Sequence, residues 1–352
     1  MTLCLKVEKK YAQSVHGFLS EKNLLSKEFR PNRDSLHVFF PISKRPTGKE
    51  LKSLKSIYKK LVISNKTFEV NTREKITLHE ALSEKLSKKE LELVNRAFDV
   101  VGNIAIVEIP KGLEKKEKLI GQAILETQKG VETVCKKTGA HKGVVRAEPV
   151  KIIAGKKNLN AVYRESGCVF RVKLGKVFFS PRLSAERLRI AKQVKKGEVV
   201  AALFAGVGPF PIVLAKNSLM EKAFAVELNP HAVKQLEENI HLNKVETKVV
   251  ALLGDVKKLV PKKLVGLCDR VLMPLPKGAQ SFLPQAIDCL KKEGGIIHFY
   301  SFGPKDNPFE ESINAIKLHV KQKGLSAKIL DKRELRSYSP QTVQVVIDFR
   351  VY

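Results

Sequence analysis

Tryptophan is absent from this 352-residue chain, and aromatic residues make up only 7% of it. A surface built to stack single-stranded bases is therefore less expected than one that reads shape and phosphate. The five cysteines, Cys4, Cys135, Cys168, Cys268 and Cys289, lie far apart, with no Cys-x-x-Cys and no Cys/His cluster. That spacing gives little support to a zinc site or a disulfide framework, so no metal is assigned and the cytoplasm is the expected compartment. No apolar run approaches a membrane span, and no basic segment followed by an apolar stretch opens the sequence. Neither a membrane partner nor a secretory leader is expected. Negative charge is scarce as well: 36 Asp and Glu face 65 Lys and Arg, a formal net charge of +29. Lysine-rich surfaces of heat-adapted proteins usually balance Lys with Glu. An excess this large resembles a polyanion-binding surface, whose affinity falls steeply with salt.

The glycine pattern is also incomplete for two common phosphate sites. Leu203-Phe-Ala-Gly-Val-Gly-Pro-Phe210 has Gly206-x-Gly208 without the third glycine of a dinucleotide site, and no Gly-Lys-Ser/Thr follows. What is present is a short apolar run, Val199 to Leu203, feeding that turn and then a helix-like segment. A second apolar run ends at Glu227 in Phe224-Ala-Val-Glu-Leu-Asn-Pro230, about twenty residues on. Glycines let the backbone pass close to a ligand, and an acid at the next strand tip accepts hydrogen bonds from a ribose diol. The pattern predicts a nucleoside-cofactor site at the carboxyl edge of a parallel sheet. Glu227, a strand-end carboxylate with no evident partner, is its firmest residue. Asp255 in Gly254-Asp255 either continues that site or caps the helix that follows.

Residues 3–7 and 35–42 read as strands around a helical stretch from Ala12 to Asn23, with a turn from Ser43 to Gly48. Lys49 to Lys60 reads as a basic helix with Leu51, Leu54 and Ile57 on one face. Further on, Ser87 to Ala97 reads as a helix with Ser87 as N-cap and Glu90 three residues later. Asp99 to Pro110 reads as one buried strand and Leu113 to Gln128 as an amphipathic helix. Strands are expected around 143–153, 160–164 and 168–174. From Glu198 short apolar runs alternate with helices, the βαβ signature. Its strands are expected at 198–204, 222–227, 248–253, 268–273, 294–300, 326–331 and 342–351, with a helix from Asn307 to Lys323. The expected fold is α/β in three parts: a small module over 1–70, a mixed α/β module over 71–175, and a Rossmann-like domain over 176–352. That last domain would carry a seven-stranded, mainly parallel sheet ending in an antiparallel hairpin.

Several segments together carry a family resemblance: Ala97 to Pro110, Phe179-Ser-Pro-Arg-Leu-Ser-Ala-Glu-Arg187, Phe204 to Phe210, Glu227-Leu-Asn-Pro-His-Ala232, Glu238-Asn239, Asn243 and Gly254-Asp255. Over nearly its whole length the chain resembles the archaeal and eukaryotic tRNA (guanine-N1)-methyltransferases. These class I enzymes use S-adenosylmethionine on guanosine 37, the base 3′ of the anticodon. The Phe179–Arg187 segment is the specific part, because the glycine motif is shared by many enzymes using this cofactor. The resemblance implies Glu186 as general base and Arg146 as a donor to guanine O6. Guanine N1 carries a hydrogen that must leave before the nitrogen can attack, and the negative charge then spreads onto O6. Without the resemblance, Glu186 reads as a helix-dipole residue and Arg146 as a solvated or phosphate-facing cation.

The resemblance further implies that Phe204, Gly206 and Gly208 form the turn against methionine and ribose. Glu227 would take the ribose hydroxyls, and Asp255 would lie near the adenine amino group. Arg182 and Arg187 would position tRNA phosphate or brace Glu186, and Phe178 stands where some members carry tyrosine. tRNA is the implied partner, met at the anticodon loop and, by the 1–70 module, at the elbow. No motif speaks to assembly, and a monomer is favoured. Besides Phe178, two positions depart from the pattern. Ala201-Ala202 stands where the family usually has an acid, and Met273-Pro-Leu-Pro-Lys277 replaces Asn-Pro-Pro or Asn-Leu-Pro. Pro274 has no amide to offer; the carbonyls of Pro274 and Leu275 would face the cofactor or base, with Pro276 keeping the bend. Other functions stay open: the aminocarboxypropyl transferase of wyosine biosynthesis, a bifunctional relative that also methylates carbon, or a tRNA-binding relative without catalysis. Arg182, where the transferase tends to carry Gly-Asn after Ser-Pro, favours N1-methylation. The retained Glu186, Glu227 and glycines argue for catalysis.

Overall fold

Side chains alternate from the first strand: β1 (Thr2–Glu8) turns Leu5 and Val7 into one apolar cluster and Cys4 into another. The computed structural model describes residues 1–70, 76–95, 97–139 and 149–352. The chain divides into two compact units, 1–76 and 77–352. In the first, β1 is followed by α1 (Ala12–Glu21), β2 (Asn32–Arg33), β3 (His37–Pro41), α2 (Gly48–Ile57) and β4 (Val62–Lys66). The strands pair antiparallel in the order β2-β3-β1-β4. Val15 and Leu19 of α1 and Leu54 of α2 pack on Leu5, Val7, Val38 and Phe40. A capping box starts α2: Glu50 N donates to Thr47 Oγ1, and Thr47 N donates to Glu50 Oε2 at 2.7 Å. The sequence reading omits β4, whose Ser64-Asn65-Lys66 half lacks strand propensity; its register on β1 makes it a strand.

The second unit opens with α3 (Leu78–Leu82) and α4 (Lys88–Leu93), the latter capped by Ser87 and Glu90 as expected. There follow β5 (Asp99–Val101), β6 (Ile104–Val107), α5 (Glu117–Thr127), β7 (Thr133–Lys137) and β8 (Val150–Gly155), whose strands form one sheet in sequence order. The single strand expected over Asp99 to Pro110 is therefore two. Gly102, at φ +60°, turns the chain back so that β5 and β6 pair antiparallel. A Cβ at that position would stand 2.3 Å from the Val162 carbonyl oxygen, so only glycine fits. Residues 143–148 of the strand expected over 143–153 lie outside the described residues.

A hairpin of β9 (Asn160–Glu165) and β10 (Cys168–Lys173) leads to α6 (Ser184–Gln193) and the main sheet. Its elements are β11 (Val199–Leu203), α7 (Pro209–Asn217), β12 (Lys222–Glu227), α8 (Pro230–Asn243), β13 (Val249–Leu253), α9 (Val256–Lys263), β14 (Arg270–Met273), α10 (Leu283–Asp288), β15 (Gly295–Pro304), α11 (Glu310–Gln322), β16 (Ala327–Ser339) and β17 (Thr342–Val351). Among the described residues this sheet has seven strands in the order β13-β12-β11-β14-β15-β17-β16. The first five are parallel and β17 is antiparallel to both neighbours. Central strand β11 is apolar throughout because helices cover both its faces. Val200 and Ala202 join the cluster that holds α7 and α8, while Ala201 and Leu203 join that of α9, α10 and α11.

Three amides on one face of α8, at i, i+4 and i+8, close the edge of β10. Lys173 N donates to Gln235 Oε1 (2.7 Å), Arg171 N to Asn239 Oδ1 (2.7 Å) and Val169 N to Asn243 Oδ1 (2.8 Å). Asn239 Nδ2 also donates to the carbonyls of Arg171 and Val207, tying the hairpin to the glycine turn. Asn239→Leu leaves those backbone groups unpaired and should lower the unfolding free energy by about 3 kcal/mol. Urea denaturation measures it, and a loss below about 1 kcal/mol would contradict this role for the ladder.

Candidate active site

The turn between β11 and α7 carries three left-handed residues: Phe204 (φ +60°), Gly206 (φ +57°) and Gly208 (φ +89°). Phe204 is a costly residue there; its ring stacks edge-on against Phe282 at 4.9 Å. A Cβ on Gly208 would stand 2.4 Å from Leu236 Cδ1 and 2.9 Å from Ile212 Cδ1, so the glycine lets α7 and α8 close up. Over Gly206 there is room: among the described residues a Cβ would meet only the Phe178 carbonyl oxygen, at 3.8 Å.

Glu227, at the tip of β12, is not without partners as expected. Gly206 N donates to its Oε2 and Asn229 N to its Oε1, both at 2.8 Å. The carboxylate braces the turn, and each oxygen retains a lone pair for a further donor. Asp255 caps α9, accepting from Lys257 N at 2.8 Å. Pro274, Leu275 and Pro276 follow β14 as a half-buried bend, with Leu275 N donating to the Met273 carbonyl at 2.8 Å. Ala202 is packed among Val200, Ala223 and Ala225, where an acid would be enclosed by apolar groups. An open glycine turn, a strand-tip carboxylate with spare acceptor capacity and the β14 bend fit an adenosine-bearing ligand.

Glu186 lies in the first turn of α6 and is 7% exposed. Arg189 holds it with two bonds of 2.7 Å, Nε to Oε2 and Nη2 to Oε1, and the Tyr300 hydroxyl donates to Oε1 at 2.8 Å. Arg189 also reaches Asp348, Nη1 to Oδ2 at 2.7 Å. Burial disfavours the charge of Arg189, but Glu186 and Asp348 outweigh it and raise its pKa. Burial likewise opposes ionisation of Asp348, yet His298 and Arg189 hold it well below the usual carboxylate range. Burial, reinforced by Glu186, keeps the Tyr300 phenol protonated far above its ordinary range.

Arg187 is not placed to meet tRNA. It is 2% exposed, and its Nε and Nη2 donate to Glu165 at 2.5 and 2.6 Å, with the Ser180 carbonyl at 3.4 Å. An RNA phosphate would have to displace a buried ion pair, so the phosphate contact expected of it is corrected to a brace for α6. Arg182 is exposed and paired with Asp99 at 2.5 Å, and Phe178 is 43% exposed. Ser180 Oγ, beside them, is buried with no hydrogen-bond partner among the described residues. Arg146 lies outside the described residues. The sequence reading missed Arg189, Tyr300, Asp348 and Glu165. Two signals were available: Arg189 follows Glu186 at helical spacing, and Asp348 is the one acid within the apolar run of β17.

The strand order, the left-handed glycine turn and the acid at the next strand tip define a class I methyltransferase. The profile of the TRM5/TYW2 methyltransferase domain matches residues 161–329, that of the TYW2 N-terminal domain 78–158, and that of the tRNA methyltransferase 5 N-terminal domain 4–50. The chain belongs to the TRM5/TYW2 methyltransferase family. It is similar to the tRNA (guanine(37)-N(1))-methyltransferase Trm5b of Pyrococcus abyssi, 37% identical over 351 residues, covering 100% of this chain and 99% of that protein. Among solved structures, the complex of aTrm5 and tRNALeu matches with TM-score 0.70 and 33% identity over 99% of this chain and 100% of that one. Methanocaldococcus jannaschii TYW2 in complex with AdoMet matches with TM-score 0.56 and 28% identity over 72% of this chain and 99% of that one.

Proposed function

We propose that the protein transfers the methyl group of S-adenosylmethionine to N1 of guanosine 37 in tRNA, in the cytoplasm. The observation that carries this reading is a junction. The Phe178 carbonyl, at the start of the segment leading to Glu186, borders the open face of Gly206 in the cofactor turn. The segment that leads to Glu186 thus borders the cofactor turn. The full-length similarity to Trm5b, including the match over 4–50, favours methylation over the TYW2-type reactions.

When bound, S-adenosylmethionine supplies a methyl group activated by a sulfonium and leaves as a neutral thioether. Glu227 would accept from the ribose hydroxyls through the lone pairs that Gly206 and Asn229 leave. Asp255 would accept from the adenine amino group, and the bend at Pro274, Leu275 and Pro276 would close the pocket. Glu186 takes the N1 proton as the new N1–C bond forms, and Arg146 stabilises the charge on O6. Ser180 Oγ, Arg182 and Phe178 line the approach of the target nucleotide. The first unit would read the tRNA elbow, and the net charge of +29 supplies long-range attraction to the RNA.

The test uses unmodified tRNA transcripts carrying G37 or A37, with S-adenosylmethionine labelled separately in its methyl and aminocarboxypropyl groups. Methyl label entering only the G37 transcript is the expected result. Aminocarboxypropyl label would instead assign the wyosine-pathway reaction, and tRNA binding without either label would sink the catalytic reading.

A further inference from the structure

Both oxygens of Glu186 are held as found: Oε1 accepts from Arg189 and Tyr300, while Oε2 accepts from Arg189 and keeps one lone pair. A carboxylate locked to a guanidinium is a poor proton acceptor, so Arg189 must loosen its hold when Glu186 turns to the guanine. A buried guanidinium left without an anion would be costly. The structure supplies a second anion. Asp348, 2% exposed, accepts from Arg189 Nη1 at 2.7 Å and Nη2 at 3.3 Å, and Asp331 lies 3.9 Å from Nη1.

Behind Asp348 stands His298, with Nδ1 2.6 Å from Oδ1 and Nε2 2.7 Å from Arg270 Nη1. Arginine only donates, so Nε2 is the acceptor and Nδ1 carries the single hydrogen, which it donates to Asp348. The imidazole is therefore neutral, and Asp348 keeps its negative charge facing Arg189. Arg270 is neutralised in turn by Glu198, at 2.8 and 3.1 Å. Glu186 is thus touched by Arg189 on its own helix and Tyr300 from β15, and the anions facing Arg189 behind it are Asp348 from β17, backed by His298 of β15, and Asp331 from β16. Arg187 is turned away to Glu165.

We propose that Arg189 is a positioning residue shared between two anions: it releases Glu186 to the guanine N1 proton while Asp348 retains it, and the Tyr300 hydroxyl keeps Glu186 Oε1 in place. This rests on Glu186 being the base of the proposed reaction. The two sides of Arg189 then act in opposite senses. Removing the cation takes away the positive charge that pairs Glu186, whereas removing Asp348 leaves Arg189 to Glu186 alone.

The test is the single-turnover rate of methyl transfer to the G37 transcript between about pH 5.5 and 9, at saturating cofactor, with cofactor affinity measured in parallel. Arg189→Gln should slow the neutral-pH rate about 100-fold, move the acidic limb of the profile upward and recover part of the loss at high pH. Arg189→Lys should recover part of the rate, and Tyr300→Phe should cost about tenfold with a smaller upward move. Asp348→Asn should move the limb downward. Cofactor affinity should change by less than about twofold throughout, because its residues lie on other elements. Limbs that move the same way in Arg189→Gln and Asp348→Asn, or that do not move, overturn the proposal. If Asp348→Asn does not fold, the Arg189→Gln and Tyr300→Phe profiles decide. A wild-type protein that methylates nothing removes the function itself, and a Glu186→Gln variant of wild-type rate removes Glu186 as its base. A dead Glu186→Gln with unmoved limbs removes only the role of Arg189.

Discussion

Glu186→Gln should lower the single-turnover rate of methyl transfer by about 10²- to 10⁴-fold and leave cofactor affinity within about twofold. The amide cannot accept the N1 proton, so the loss falls on chemistry. Glu227 and the glycine turn lie on β12 and the β11–α7 connection, held by their own backbone bonds, and among the described residues no bond of theirs passes through Glu186. The substitution also turns one acceptor facing Arg189 into a donor. Asp348 still pairs Arg189, which limits the stability cost to roughly 1–3 kcal/mol. Rapid-quench kinetics and calorimetric titration separate the two effects. Equal loss of rate and cofactor binding would place Glu186 in the cofactor pocket instead.

Arg187→Met should destabilise the protein by about 3–5 kcal/mol, because Glu165 would be left as an unpaired buried charge. The pair is closed on every side. The Arg187 guanidinium lies 5.8 Å from the rings of both Phe179 and Phe210, and the two side chains are 2% and 4% exposed, which leaves little room for relaxation. Arg187→Lys should recover little, since an ammonium cannot reproduce the two parallel bonds to Glu165. The double replacement Arg187→Met with Glu165→Leu should recover most of the loss, because it removes both charges. Denaturant midpoints of the three variants measure this. A single Arg187→Met variant within about 1 kcal/mol of the wild type would contradict the structural weight given to this ion pair.

The parallel strands were legible because each is a short apolar run between helices; β12, expected at 222–227, spans Lys222–Glu227. The last hairpin was less so. β16 extends to Ser339, well past the expected residue 331, because it is an edge strand of alternating exposed polar residues, held by its ladder with β17 rather than by an apolar pattern. β7 was missed: it is five residues long, and its strand character comes from pairing in parallel with β6. In the site, glycine turn and strand-tip acid show in the sequence because both are local. The partners of Arg187 and Glu227 were not legible for one reason: a charged residue carries no mark of the group it pairs with in the fold. The Glu186 network joins α6 to strands more than a hundred residues away, a distance no spacing rule spans.

Methylation at N1 of guanosine 37 is tested most directly by locating the product. A G37 transcript is incubated with protein and S-adenosylmethionine, digested for nucleoside mass analysis and, in parallel, copied by primer extension. The account predicts N1-methylguanosine as the product and a strong stop opposite position 37, because the new methyl occupies the Watson–Crick edge. A methylated nucleoside of any other identity, or a stop at any other position, would contradict it.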